Sequence, residues 1–117
     1  MFSQCALSQY EPSQAMKRLM KDIEYTIKYA GYIAPVAFVF GIFSSVFDLS
    51  SVIVTSYNLS NTDFEALAQT VSKLDQMNFE LIYKKVEEFK LYRRGNAQDK
   101  NYINCLYDLL TKYNRSR

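Results

Sequence analysis

Apolar side chains recur at steps of three and four residues over most of this chain, the spacing that places them along one side of an α-helix. From Ser13, whose hydroxyl can cap a helix start, Met16, Leu19, Met20, Ile23, Ile27 and Ala30 share one face. Lys17, Arg18, Lys21, Asp22 and Glu24 take the other, and Gly31 is a natural stop. The pattern predicts a first helix over residues 13–30.

Amphipathicity then disappears. Tyr29 to Phe47 is 19 residues without a charge. Pro35 can open a second helix, over 35–48, on which Val36, Phe38, Val39, Phe40, Ile42, Phe43, Val46 and Phe47 point in every direction and leave no polar face. Asp48 interrupts once before a second uncharged run, in which the β-branched cluster Val52-Ile53-Val54-Thr55 suits a strand or a short helix equally. Asn58-Leu59-Ser60-Asn61 has turn composition.

Periodicity returns at Thr62-Asp63-Phe64-Glu65, which has the form of a capping box. Phe64, Leu67, Val71, Leu74, then Leu81 or Ile82, Val86 and Phe89 follow in heptad-like steps with no Pro or Gly before Gly95. They predict a third helix over 62–94, roughly 33 residues and about 50 Å long, with Asn78 as its weak point. Lys90, Arg93 and Arg94 complement the negative end of its dipole, and Gly95-Asn96 stops it. A final helix over 99–113 carries Tyr102, Ile103, Leu106, Tyr107, Leu110 and Tyr113 on one side.

These elements make an all-α fold, a small bundle of about four helices with an apolar second helix and a long third one. Residues 1–12 read as a flexible lead-in, 13–113 as a single helical domain and 114–117 as a frayed tail.

Composition narrows the function more than it suggests one. The 117 residues include no histidine, which removes the usual acid/base group near neutral pH and the commonest nitrogen ligand for metals. Adjacent carboxylates such as Glu87-Glu88 diverge around a helix, and the three glycines form no phosphate-cradling loop. No catalytic residue, cofactor or small-molecule substrate is inferred, so the expected class is a non-enzymatic interaction or scaffolding module. Ten tyrosines at helical spacings read as packing residues. Cys5 and Cys105, 100 positions apart and in no C-x-x-C arrangement, read as free thiols. The N-terminus lacks the basic and apolar regions of a signal peptide, which favours an intracellular setting.

Two surfaces follow as candidates. The seam of Phe64, Leu67, Val71, Leu74 and Leu81 can join a protein partner or a second copy of the chain wherever internal packing leaves it uncovered. Residues 83–117 carry nine Lys/Arg against four Asp/Glu, and Lys84, Lys85, Lys90, Arg93 and Arg94 with interleaved tyrosines can face an anionic surface; the plainer reading is a solvated helix face. A net charge of only +2 and the absence of any RNA-binding signature argue against nucleic acid.

The alternative class is a membrane-associated or membrane-inserting protein that uses the uncharged Tyr29–Phe47 segment, close to the span of a bilayer core and preceded by Lys17, Arg18, Lys21 and Lys28. An apolar segment rich in Phe, Gly and Ser followed by a long heptad-bearing helix resembles, over Ala34 to Phe89, the architecture of helical pore-forming toxins. That resemblance is one of pattern, with no motif residue to match, and implies only an apolar hairpin sheltered by long helices.

Overall fold

The computed structural model describes residues 5–32 and 57–117. In chain order these form β1 (Leu7–Tyr10), α1 (Gln14–Tyr29), β2 (Tyr57–Leu59), α2 (Asn61–Ser72), α3 (Gln76–Leu91) and α4 (Ala97–Arg115). The fold is the expected small all-α bundle of about four helices, with a two-stranded ribbon added. The predicted helix over 35–48, with its apolar residues from Val36 to Phe47, and the Val52–Thr55 cluster lie outside the described residues.

Helix α1 follows its sequence signals closely. The Ser13 hydroxyl accepts the Met16 N–H at 3.2 Å, and Met16, Leu19, Met20, Ile23 and Ile27 are buried. Gly31, at φ +87, ends the helix in a double C-terminal bond: its N–H donates to the Lys28 carbonyl at 2.9 Å, and the Tyr32 N–H donates to Ile27 at 3.1 Å. Glu24 is also buried and pairs with Lys28 at 3.6 Å.

The predicted 33-residue helix is two helices, because the chain turns at Lys73–Asp75 and Asp75 begins α3 by accepting the Asn78 N–H at 2.9 Å. Apolar spacing misses this break, since a three-residue turn keeps both faces in step. Phe64, Leu67, Val71, Leu74, Phe79, Ile82, Val86 and Phe89 are all buried, while Leu81 is 46% exposed. The start of α2 also moves. Its N-cap is Ser60 rather than Thr62, with Asp63 N–H donating to the Ser60 hydroxyl at 3.2 Å and Ser60 N–H to the Asp63 carboxylate at 2.8 Å. Without an uninterrupted third helix, the toxin-like pattern loses the element on which it rested.

The N-terminal segment belongs to the fold over residues 5–12 rather than forming a flexible lead-in. β1 pairs antiparallel with β2, with an irregularity between Leu7 and Tyr10 where Gln9 takes φ 51. The Gln9 N–H donates to the Asn58 side chain at 2.9 Å, and the Cys5 and Ala6 N–H groups both donate to that of Asn61. Cys5 and Cys105 are disulfide-bonded, not free thiols. β1 contacts α4 and brings their Cα atoms to 5.6 Å, a separation that a disulfide spans.

Helix α4 is the centre of the core, in contact with α2, α3 and β1. Its Tyr102 ring lies 5.5 Å from that of Tyr10 and 4.9 Å from that of Phe64. Ile103, Leu106, Leu109 and Leu110 complete its buried face. The helix runs to Arg115 rather than ending near Tyr113, and the tail that the sequence reads as frayed is tied down at its last residue. The Arg117 guanidinium donates to the carbonyls of Ser72 and Leu74, at 2.9 and 2.8 Å, and sits 4.4 Å from the Phe79 ring centre. It thereby satisfies carbonyls left open at the end of α2.

Candidate functional site: a basic recess between two helix ends

Helix α3 ends in the same double-bonded turn as α1, but with an arginine where glycine is usual. The Arg93 N–H donates to the Lys90 carbonyl at 3.2 Å and the Arg94 N–H to that of Phe89 at 3.3 Å, which puts Arg93 at φ 51. Gly95 follows at φ +84, where a Cβ would overlap the Asp99 carboxylate. Asn96 then begins α4 rather than merely stopping α3. Its side chain accepts the Asp99 N–H at 2.8 Å, and Asp99 accepts the Asn96 N–H at 2.9 Å. Two left-handed residues, Arg93 and Gly95 on either side of Arg94, fold the chain back sharply, so the last turn of α3 and the first turns of α4 flank a common space.

That space is a recess of about 580 Å³. Lys90, Arg93, Arg94 and Lys100 stand around it, and its floor is apolar, made by Phe89, Ile103 and the ring of Tyr107. The Lys90 ammonium lies 4.4 Å from the centre of the Tyr107 ring. Arg94 lies 5.8 Å from the Tyr92 ring. Among the described residues none of these four cations comes within ion-pair distance of a carboxylate, whereas Lys28 and Lys85 are paired with Glu24 and Asp22. The one acidic group on the wall, Glu87, accepts the Tyr107 hydroxyl at 3.2 Å. Hydrogen bonding with the neighbouring Tyr83 phenol, partial burial and the Glu87 carboxylate push Tyr107 up to about 12. Leu91, which also lines the recess, and Tyr92 beside it are 69% and 63% exposed.

Helix-end electrostatics explain only part of this cluster. Cations at the C-terminus of α3 complement its dipole, which accounts for Lys90, Arg93 and Arg94. Lys100 lies at the opposite, positive end of α4 and repels both that dipole and the α3 cations.

Of the basic residues picked out from sequence, Lys90, Arg93 and Arg94 converge here. Lys84 is exposed outside the recess and Lys85 pairs with Asp22 at 3.6 Å. Sequence reasoning missed Lys100 and Tyr107 as members of the site. The available signal was a cation in the first turn of a helix, where a carboxylate is the usual choice. The proposed seam is not a free surface: Phe64, Leu67, Val71 and Leu74 belong to the intramolecular core, and only Leu81 is exposed.

The remaining tyrosines with displaced titration are core residues. Tyr10 is raised far above the usual phenol range, first by burial and then by its hydrogen bond to Asp99, and Tyr102 is raised by burial alone. Among the described residues no cluster of Cys, Asp and Glu could hold a metal, and no helix is long and apolar enough to cross a membrane. The chain matches no protein-family model, no curated protein and no solved structure.

Proposed function

We propose that this protein is a non-enzymatic helical interaction module that engages an acidic segment of a protein partner at the corner where α3 meets α4. The observation that carries this reading is the convergence of Lys90, Arg93, Arg94 and Lys100 on one recess without a carboxylate partner among the described residues. Collecting like charges on one corner costs folding free energy, and an anionic partner turns that cost into attraction. The exposed Leu91 and Tyr92 alongside supply apolar and aromatic area, and tyrosine and arginine are the residues that anchor protein interfaces. Binding rather than catalysis is favoured by the absence of histidine from the chain and by displaced tyrosines whose environments have structural explanations. Self-association through Phe64, Leu67, Val71 and Leu74 forms no part of this proposal, because those side chains pack internally.

Fluorescence anisotropy with a labelled Glu-rich peptide carrying one Phe tests it. Saturable binding that weakens with salt is expected, and Arg94→Ala with Lys100→Ala should weaken it by about tenfold or more, the loss expected from removing charge-assisted hydrogen bonds. Lys84→Ala, the loss of one positive charge outside the recess, should leave affinity within about twofold, since charges away from the contact are screened. No binding at low salt, or an equal loss in Lys84→Ala, overturns the proposal.

A further inference from the structure

We propose that the recess binds a phosphate monoester carried on an aryl group, either a small organophosphate or a phosphorylated side chain of the partner. This rests on the anionic-partner reading above and adds the chemistry of the bound group. The first argument is the direction of the charges. Lys90 comes from the last turn of α3, Arg93 and Arg94 from the turn beyond it, and Lys100 from the first turns of α4, so positive charge approaches from several sides of one space. A carboxylate offers two oxygens, whereas a phosphate monoester offers three acceptor oxygens and up to two negative charges, which suits such an enclosure better.

The second argument is the floor. Phe89 and Ile103 are buried beneath the recess, and the part-exposed Tyr107 ring and the exposed Leu91 line it, so the cations stand around apolar surface that inorganic phosphate would leave uncovered. A planar ring on that floor would lie against apolar side chains while its phosphate reaches the rim. The volume, about 580 Å³, falls within the ordinary size of a small-ligand site. Glu87 gives the site polarity: it lies two turns before Arg94 on the same strand of chain, so the anionic end is directed away from it and toward Arg94 and Lys100.

Lys100 separates this proposal from a structural account of the same residues. A cation kept for stability would lose stability on removal, but Lys100 faces the positive end of its own helix. Lys100→Ala should therefore leave the melting temperature unchanged or raise it while weakening the ligand.

Amide chemical shifts of the ¹⁵N-labelled full chain, titrated with phenyl phosphate and with inorganic phosphate, provide the test. Phenyl phosphate should shift amides of residues 87–94 and 100–107 saturably, and bind about tenfold tighter than inorganic phosphate through the apolar floor. Arg94→Ala and Lys100→Ala should each weaken it about tenfold, with Lys84→Ala within about twofold of wild type. A phosphotyrosine peptide that binds more tightly than phenyl phosphate, while its unphosphorylated form does not bind, assigns the group to a protein partner; equal affinities assign it to a small ligand. Absence of saturable shifts, equal affinity for inorganic and phenyl phosphate, or an equal loss in Lys84→Ala overturns the proposal. If the Glu-rich peptide still binds in that event, only the phosphate inference fails; if neither binds, the anionic-partner reading falls with it.

Discussion

The hydroxyl of Tyr10 donates to the carboxylate of Asp99 at 2.5 Å, across 89 residues of chain and in the interior of the protein. The same carboxylate accepts the Asn96 N–H at 2.9 Å and the Ser13 N–H at 3.4 Å. One buried side chain therefore caps α4, holds the end of β1 and fixes the entry to α1. Asp99→Ala would strand the Tyr10 hydroxyl and open the capping box, a loss of about 2–4 kcal/mol from an unsatisfied buried donor and a missing cap. Tyr10→Phe, which leaves the box intact, should cost less. Urea unfolding midpoints of the two variants compare them directly.

Alkali should expose the same arrangement. Tyr10 and Tyr102 are held neutral in the fold, with titration raised above the ordinary phenol value of 10.0. Above that value the unfolded chain loses these protons while the folded chain keeps them, so stability that is fully present below pH 10 falls as the pH rises. The expected slope is about 1.4 kcal/mol per pH unit for each tyrosine. Unfolding free energies across this range should show a slope smaller by about 1.4 kcal/mol per pH unit in Tyr10→Phe.

The Cys5–Cys105 bond closes a loop across 100 positions and anchors β1 to α4. Peptide mapping without reductant should recover a fragment joining the two cysteines. In the chain-entropy account a loop of this length contributes up to about 5 kcal/mol, so Cys5→Ser with Cys105→Ser should lower the unfolding free energy by roughly 3–5 kcal/mol. An unfolding midpoint indifferent to dithiothreitol would contradict the bridge.

Arg117→Ala should destabilise the turn between α2 and α3, because the guanidinium bonds the carbonyls of Ser72 and Leu74 and the side chain of Gln76. The side chain is solvent-exposed, which limits the loss to about 1 kcal/mol. Arg117→Lys should recover little of it, since an ammonium lacks the planar fork. Thermal unfolding measures both.

Arg93→Gly should raise stability by about 0.5–1 kcal/mol, since glycine takes φ 51 without the penalty of a Cβ. It should also weaken binding of anions at the recess. A variant that is both less stable and fully competent to bind would contradict the role assigned to this position.

Local signals reached far along this chain. Ser13 and Gly31 bound α1 where the sequence places them, because a hydroxyl that accepts a backbone N–H and a residue free to take positive φ act over a few neighbouring residues. The buried faces of α1 and α4 were legible for a similar reason, since a helix repeats every 3.6 residues whatever it packs against. The division between α2 and α3 was partly legible in Asp75, a good N-cap residue hidden inside an unbroken apolar rhythm.

What the sequence could not supply was proximity between distant positions. It showed Lys90, Arg93 and Arg94 as neighbours but left Lys100 as another surface cation, and it left Tyr10 and Cys5 in a segment without periodicity. Two successive left-handed residues at Arg93 and Gly95, separated by Arg94 alone, turn α4 back along α3 and bring Lys100 to the recess. The pairing of β1 with β2 carries Tyr10 to Asp99 and Cys5 to Cys105. Helix periodicity and caps are set by covalent neighbours and could be read from the chain; the recess, the buried tyrosine–aspartate pair and the disulfide arise from through-space contacts that only tertiary packing decided.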